Sequence, residues 1–357
     1  MRYLTTDLAG EDVLTGRTGA LGLIALNRPR IINSLSLPMV RQIEAALDGF
    51  EEDTSIAAVL VTGEGERGFC AGGDIRMLYE SGRAGTADAP QFLRDEYRLN
   101  GRIGGYPKPY VVIMDGITMG GGVGLSGHAS HRIATDSTKL AMPETGIGFF
   151  PDVGATWLLS HAPGELGTYM GLTGEAIGPA DAIAAGFADC FVPADALTRL
   201  AEELAALHAT ADAGAVSNLI AAFAGEAPAG HFIENRAIID RCFAFDTVED
   251  ILAALEEEKS PFADKTRATL LTKSPTSLKV TLALLRAGRS SPDLEACLAR
   301  EFAATAQTLK TPDFYEGIRA AIIDKDRNPK WSPATLDDVG PEIVEAFFQP
   351  HPQPLFG

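Results

Sequence analysis

The sequence predicts an α/β protein whose C-terminal part is helical. Three apolar runs, at residues 21–26, 56–62 and 110–114, lack the polar alternation of strands that have one exposed face. Such runs are typical of parallel strands covered by helices, and segments with helical spacing separate them. Beyond about residue 195, helical periodicity dominates and strands are hard to find. We therefore expect an α/β core over residues 1–195 and a helical region over residues 196–357.

The elements of the predicted core follow one another in a regular order. Ser36 and Pro38 stand where an N-cap and an early helical proline would begin a helix that reaches about Phe50. The second strand ends in a glycine turn at 63–65, and a fourth short strand is expected at 132–135. The core therefore alternates strands with helices.

The second part of the chain contains four segments with apolar residues at helical spacing. These segments cover residues 197–208, 247–259, 294–309 and 314–323. The stretch 224–230, which is rich in Gly, Ala and Pro, predicts a loop between helices.

The charge balance limits the possible partners. The chain has 30 Lys and Arg against 48 Asp and Glu, so its net charge is −18. A surface of that sign repels nucleic acid and anionic membranes, and we expect neither as a partner. An anionic ligand would need a local basic patch.

The cysteines and the N-terminal segment indicate where the protein works. Its four cysteines lie far apart without a CxxC pair, which predicts neither a metal site nor a disulfide framework and favours a reducing compartment. The first residues show no basic and apolar leader, and no run approaches the length of a membrane span. We therefore expect a cytoplasmic protein.

A glycine stretch at 120–127 is the most unusual local feature, and by itself it has three interpretations. Residues 122–127 spell the GxGxxG dinucleotide fingerprint, but several residues separate them from the preceding strand. The GxSxG nucleophile elbow is missed, because His128 stands where its last glycine belongs. Close packing of a helix against neighbouring backbone explains the glycines without any ligand.

Together with other segments, this stretch resembles the crotonase (enoyl-CoA hydratase/isomerase) superfamily, from about residue 20 to residue 340. The resemblance implies the crotonase-like ββα spiral core, followed by the helical C-terminal region. Within the superfamily, the sequence is most similar to the 3-hydroxyisobutyryl-CoA hydrolase family, which implies hydrolysis of a short β-hydroxyacyl-CoA thioester in valine catabolism. The segments that carry the resemblance are 27–33, 68–75, 106–109, 116–126, 141–145, 150–154 and 324–331.

The resemblance implies an oxyanion hole made by the backbone N–H groups of Gly73 and Gly121. Two fixed N–H donors can stabilise the negative charge that develops on a thioester oxygen, and glycine lets the backbone come close to it. Gly121 is expected at the start of a helix, where the helix dipole favours negative charge.

The resemblance also separates hydrolysis from hydration. Hydratases of the superfamily use two glutamates, of which Glu144 is present, while Gly124 stands in place of the other. Asp152 stands where simple hydratases tend to carry glycine, and the hydrolase family also has aspartate in place of that glycine. We interpret Glu144 as the nucleophile or general base, and Asp152 as assisting water attack or binding the acyl hydroxyl.

The remaining site residues follow from the resemblance as substrate contacts. Glu96 would line the acyl pocket, and Ala71 and Ile75 would meet coenzyme A through backbone atoms. Coenzyme A enters as part of the substrate, and no metal or redox cofactor is implied. A homo-oligomer is compatible with the sequence. The cations expected to hold the phosphates of coenzyme A are Arg28, Arg30, Lys325 and Lys330.

The sequence is also compatible with three rival functions. An enoyl-CoA hydratase or isomerase is disfavoured by Gly124, and a catalytically silent acyl-CoA binding protein is disfavoured by the intact Glu144 and Asp152. A dinucleotide-dependent oxidoreductase would need the glycine stretch to be a true fingerprint.

Overall fold

The computed structural model describes residues 3, 4, 6 and 8–356. They form two compact units, each built from several chain segments. The first unit contains the described residues up to Gly73, together with Leu99–Leu140 and Ile177–Gly230. The second contains Asp74–Arg98, Ala141–Ala176 and the described residues from His231 onward.

The strands form two sheets. The larger sheet has the order β1-β2-β3-β5-β7-β9, in which β1 and β2 are antiparallel and the other neighbours are parallel. The smaller sheet has the order β4-β6-β8. The strands are β1 Val13–Thr18, β2 Leu21–Leu26, β3 Ala58–Gly63, β4 Gly68–Cys70, β5 Tyr110–Met114, β6 Ile117–Met119, β7 His131–Ala134, β8 Lys139–Ala141 and β9 Cys190–Phe191.

Helices account for most of the remaining ordered chain. In chain order they are α1 Leu37–Glu52, α2 Ile75–Ala84, α3 Asp88–Gly104, α4 Gly121–Ser126, α5 Ala155–His161, α6 Leu166–Thr173, α7 Pro179–Ala184, α8 Leu197–Ala205, α9 Ala213–Phe223, α10 Phe232–Cys242, α11 Val248–Glu258, α12 Pro261–Leu270, α13 Pro275–Gly288, α14 Leu294–Thr308, α15 Pro312–Ile318 and α16 Pro341–Glu345. Short 3₁₀ turns cover Pro29–Ile31, Glu144–Ile147, Ala194–Ala196 and Ala346–Phe348, and a π turn covers Arg319–Ile323.

The core of the first unit lies between the larger sheet and two helices. Leu23, Leu60 and Val111 from three neighbouring strands pack in one cluster with Leu200 of α8 and Val216 of α9. Burial of such side chains contributes about 1.5–3 kcal/mol each relative to exposure. The prediction that helices cover the apolar strands is therefore confirmed for this face of the sheet.

Most predicted elements are confirmed, with shifts of a few residues at their ends. The strands at 21–26 and 110–114 have the expected bounds, and the Ser36 hydroxyl accepts a hydrogen bond from the Met39 N–H at the start of α1. The segment 314–323 begins earlier, at Pro312, and ends in a π turn. Strand β1 was not predicted, because Gly16 and Arg17 interrupt its apolar pattern.

The compact units do not follow the expected division at residue 195. Segments 74–98 and 141–176 belong to the same unit as the C-terminal helices. The physical reason is packing within that unit: α2 contacts α15, while α5 and α6 both contact α13. A boundary drawn from composition cannot detect such contacts, because they join residues that are distant in sequence.

The described part of the chain has neither a disulfide nor a membrane-spanning helix. No disulfide joins any two of Cys70, Cys190, Cys242 and Cys297. Within residues 8–356, no helix is both long enough and apolar enough to cross a membrane.

Asn33 fixes the loop that leads into the first glycine turn. It is fully buried with φ of 53°, a left-handed conformation that asparagine tolerates better than most residues. Its Nδ2 lies 2.9–3.2 Å from the carbonyl oxygens of Glu64, Gly68 and Phe69, and its Oδ1 accepts from the Arg28 N–H at 2.8 Å. One side chain therefore ties β4 to the segment before α1.

We expect Asn33→Asp to lower the free energy of unfolding by about 2–3 kcal/mol, because the carboxylate cannot donate to the buried carbonyl oxygens. Urea denaturation measures the change. The matched control is Asn27→Asp, because the Asn27 amide donates to the Glu11 carbonyl oxygen in an exposed setting. Equal losses in the two variants would contradict the role given to Asn33.

Candidate active site

The first unit brings together the two glycine turns that were expected to supply the oxyanion hole. Gly73 pairs with Leu35 in an isolated parallel bridge, and the neighbouring Gly72 has φ of 105°. A Cβ on Gly72 would lie 3.4 Å from the Gly121 nitrogen, so the two turns are in direct contact. Within residues 8–356, neither the Gly73 nor the Gly121 N–H donates a hydrogen bond to the backbone of another element.

The glycine stretch has a packing role as well. Gly121 is the first residue of α4, as expected, and Gly122 follows it inside the helix. A Cβ on Gly122 would lie 2.4 Å from the Cys70 carbonyl oxygen, so α4 packs against β4 backbone to backbone. Gly122 is also the first glycine of the GxGxxG match, but it lies within a helix rather than at the turn that closes a strand.

The second unit contains the predicted carboxyl groups. Glu96, Glu144 and Asp152 are all buried, with 2–6% of their surface exposed. Buried carboxyl groups are rare unless they are paired. Burial is the main cause that raises the pKa of both glutamates, and the negative charge of Asp152 adds to it, so each glutamate lies within electrostatic reach of Asp152. We call Glu96, Glu144 and Asp152 together the carboxyl cluster.

Asp152 has a hydrogen-bond partner that the sequence did not reveal. The Tyr97 hydroxyl donates to the Asp152 Oδ2 at 2.5 Å, and both groups are buried. Burial raises the pKa of Asp152 to about 7, although the bond from Tyr97 favours the ionised form. A carboxyl group with such a pKa can change its protonation state near neutral pH, as acid and base catalysts do.

Glu144 begins the 3₁₀ turn at Glu144–Ile147. Burial is the main cause that raises its pKa well above the usual range, and Asp152 adds to the effect, while Lys273 opposes it. The Glu144 Oε2 and the Glu96 Oε1 have no hydrogen-bond partner among the described residues. Unpartnered buried carboxyl oxygens cost free energy, so they are typical of sites that act on a substrate.

Glu301 is a second residue that the sequence analysis missed. It is fully buried in α14, and its carboxylate accepts from the Gly154 N–H at 2.6 Å and from the Thr156 N–H at 2.9 Å. Its position in the sequence could have indicated its burial. Glu301 lies on the same helix face as Cys297 and Thr305, where a carboxylate is unusual. Tyr97 gave no comparable signal, because buried tyrosines are common.

Two of the four expected phosphate-binding cations lie in the first unit. The Arg28 guanidinium donates to the Ser34 carbonyl oxygen at 2.8 Å and lies 3.9 Å from an Asp12 carboxylate oxygen, so part of its donor capacity serves the loop itself. Arg30 is exposed in the 3₁₀ turn at Pro29–Ile31.

The other two cations lie in the second unit. Lys325 is exposed with φ of 58°. Lys330 is exposed and lines a cavity of about 550 Å³ together with Tyr79, Arg83 and Arg319. Arg319 is already paired with Glu316, Asp324 and Asp326, which leaves Arg83 and Lys330 as the cations of this cavity best able to attract an anion.

Ala71 and Ile75 stand at the two ends of the first glycine turn. Ala71 is exposed, and its N–H donates to the Ile32 carbonyl oxygen at 2.9 Å. Ile75 is the half-buried first residue of α2. Because the Ala71 N–H is already used, a contact with coenzyme A there would have to use its carbonyl oxygen.

Comparisons with known proteins agree with the motifs. The profile of a family described as Enoyl-CoA hydratase/isomerase matches residues 21–348. The chain is 43% identical, over 95% of its own length and 89% of the relative's, to a Rattus norvegicus protein named mitochondrial 3-hydroxyisobutyryl-CoA hydrolase.

Two solved structures are also similar over nearly the whole chain. One is a Carnitinyl-CoA dehydratase from Mycobacterium thermoresistibile, with 48% identity, a TM-score of 0.91 and coverage of 97% of this chain and 98% of that one. The other is an enoyl-CoA hydratase from Rhodobacter sphaeroides 2.4.1, with 42% identity, a TM-score of 0.90 and coverage of 97% and 100%. These similarities agree with the predicted crotonase-like fold.

The carboxyl cluster predicts an unusual dependence of stability on pH. Asp152 ionises near pH 7 in the folded state but near 3.8 without its surroundings, so the folded state binds more protons in that interval. Its contribution to the free energy of unfolding therefore falls as pH rises. The asparagine variant lacks this loss. As pH rises from about 5 to about 8, we expect the free energy of unfolding of Asp152→Asn to increase by roughly 2–3 kcal/mol relative to that of the wild type.

Urea denaturation at both pH values measures this difference. The control is Asp337→Asn, because the Asp337 side chain is exposed. A difference between Asp152→Asn and wild type that stays constant with pH would show that burial does not perturb this carboxyl group.

Proposed function

This chain belongs to the enoyl-CoA hydratase/isomerase family, and on that basis we propose that it hydrolyses a short β-hydroxyacyl-CoA thioester, with 3-hydroxyisobutyryl-CoA as the preferred substrate. Water adds its oxygen to the acyl carbon, the C–S bond breaks, and 3-hydroxyisobutyrate and free coenzyme A are released. The observation that carries this function is the carboxyl cluster, in which Glu144 and Asp152 share one buried environment. The name of the rat relative supports the choice of acyl group.

The roles we propose follow the chemistry of a thioester. Glu144 either attacks the carbonyl carbon to form an anhydride or removes a proton from the attacking water. Its raised pKa makes it a stronger base than an ordinary carboxylate. Asp152 keeps one oxygen on the Tyr97 hydroxyl and can offer the other to the water or to the β-hydroxyl. The proposed role of the Gly73 and Gly121 N–H groups is to stabilise the carbonyl oxygen.

The coenzyme A contacts remain part of the proposal. Arg28 and Arg30 in one unit, and Lys325 and Lys330 in the other, are candidates for the phosphates, while Glu96 is a candidate for the acyl pocket. The reaction uses no metal or redox cofactor, and coenzyme A takes part only as a portion of the substrate. We also keep a homo-oligomer, a place in valine breakdown and a cytoplasmic location as proposals. The rat relative carries the word mitochondrial in its name.

A hydratase or dehydratase is the second candidate, because the two solved relatives are named for those reactions. Adding water across a double bond takes two acid-base groups, one to activate water and one to transfer a proton to carbon. At the position where the superfamily's hydratases carry their second glutamate, this chain has Gly124 in the buried helix α4. Thioester hydrolysis needs no proton transfer to carbon, so it is compatible with Gly124.

We expect thiol release from 3-hydroxyisobutyryl-CoA to be much faster than hydration of crotonyl-CoA, and Glu144→Gln to remove nearly all thiol release. The amide has the same shape but neither the charge nor the basicity, so kcat should fall by ~10² or more while KM changes a few fold. A thiol reagent and the enoyl absorbance report the two reactions. Hydration without thiol release would favour the second candidate, and a Glu144→Gln enzyme that keeps more than about a tenth of kcat would assign the chemistry to another group.

Asp152→Asn should lower hydrolysis and weaken the preference for hydroxylated acyl groups. A buried polar group matched to a substrate hydroxyl discriminates by a few kcal/mol, because the plain analogue leaves it unpaired. The measurement is kcat/KM for 3-hydroxyisobutyryl-CoA and isobutyryl-CoA in both proteins, with Asp337→Asn as the control. Unchanged values for both esters would show that Asp152 serves structure alone.

A further inference from the structure

The turn that follows Asp152 has an unfavourable backbone conformation. Val153 has φ of 57° and Gly154 has φ of 80°, so two successive residues are left-handed. Glycine tolerates that region, but a β-branched valine is strained there. Such strain persists only where surrounding contacts hold the backbone, and it is common at catalytic turns.

Glu301 makes three of those contacts. Its Oε2 accepts from the Gly154 N–H at 2.6 Å, and its Oε1 accepts from the Thr156 N–H at 2.9 Å and from the Thr156 hydroxyl at 2.5 Å. Glu301 is fully buried, and it lies 147 residues from Gly154 in the sequence. Burial raises the pKa of Glu301 to about 8, but the bonds from Thr156 and Gly154 favour its ionised form. Hydrogen bonds to that charged form are stronger and more directional than neutral ones.

Asp152 is therefore held at two points. Its carboxylate accepts from the Tyr97 hydroxyl, and its own carbonyl oxygen accepts from the Ala155 N–H at 2.8 Å, inside the turn that Glu301 binds. The side chain is fixed by Tyr97, while the backbone that carries it is fixed by Glu301. Because both oxygens of Glu301 are occupied by protein donors, this carboxylate is unsuited to react with a substrate itself.

We propose that Glu301 is a positioning residue for hydrolysis, which sets the placement of the Asp152 carboxylate by holding the strained turn at 152–156. This inference rests on the proposed function, because it requires Asp152 to act on the substrate. A small displacement of a catalytic group can reduce a rate by about 10²-fold, so a residue that never touches the substrate can still limit turnover.

Glu301→Gln is the main variant. Glutamine has the same shape, but its amide NH₂ would face either the Gly154 N–H or the Thr156 donors, so at least one bond is lost. We expect kcat for 3-hydroxyisobutyryl-CoA to fall by about ten- to a hundredfold with KM within about threefold, because positioning affects the reacting state more than binding.

Two substitutions at Thr156 test the same contact more gently. Thr156→Val removes the hydroxyl donor and keeps the shape, and it should lower kcat by a smaller factor than Glu301→Gln. Thr156→Ser keeps the donor and should restore kcat to near the wild-type value. This pair carries the test if Glu301→Gln does not fold, and equal kcat values for the valine and serine variants would overturn the proposal.

The matched control is Glu165→Gln. Glu165 is also a buried carboxylate with several donors, which include Thr168 and Arg289, but its bonds do not reach the turn at 152–156. This variant should lose thermal stability while kcat stays within about twofold of the wild type. A loss of kcat equal to that of Glu301→Gln would mean that any buried charge change disturbs turnover, which would overturn the specific role of Glu301.

A double-mutant cycle with Asp152→Asn gives the sharpest result. If Glu301 acts through Asp152, adding Glu301→Gln to Asp152→Asn should lower kcat by less than about twofold further. Independent roles would multiply the two losses and overturn the proposal. Wild-type protein that releases no thiol would overturn the proposed function and the positioning role with it, whereas wild-type turnover with an unchanged kcat in Glu301→Gln would overturn only the positioning role.

Discussion

The burial of several carboxyl groups close together is the constraint on which the rest of the second unit depends. Removing a carboxylate from water costs several kcal/mol unless the protein supplies donors or the group takes up a proton. This protein does both. Tyr97 donates to Asp152 and three donors serve Glu301, while burial raises the pKa of Glu144, Asp152 and Glu301. Burial raises the pKa of Asp152 to about 7 and that of Glu301 to about 8, so these two groups can gain or lose protons near neutral pH, which ordinary surface carboxylates cannot do.

The first unit depends on a different feature, which is the direct packing of backbone against backbone at glycine residues. Gly72 lies against the Gly121 nitrogen and Gly122 lies against the Cys70 carbonyl oxygen, at distances that a Cβ would disturb. The buried amide of Asn33 fixes the strand that leads into these turns. Within residues 8–356, the N–H groups of Gly73 and Gly121 donate to no backbone of another element, which suits the proposed role in stabilising the carbonyl oxygen. This arrangement explains why the glycines are clustered at two separate places in the sequence.

Local patterns in the sequence predict the fold better than they predict the residues that hold the catalytic groups in place. The apolar strands and the helix capped by Ser36 could be located because each element shows its own periodicity or capping residue. Resemblance to family motifs pointed to Glu144 and Asp152, and the structure places both in one buried cluster. Tyr97 and Glu301 could not be found in this way, because their importance comes from partners 55 and about 147 residues away.

A single fold can support different reactions on similar thioesters when the carboxyl groups around the substrate differ. A carboxyl group changes the chemistry only where the surrounding residues can fix its direction and set its pKa. Asp152 meets both conditions, through Tyr97 and burial, and Glu301 holds the turn behind it. Gly124, in contrast, is buried in α4, the helix whose Gly122 packs directly against the Cys70 backbone. A new carboxylate at Gly124 would need donors that fix its direction and set its pKa, so building a hydratase would take suitable neighbours as well as a carboxylate at that position.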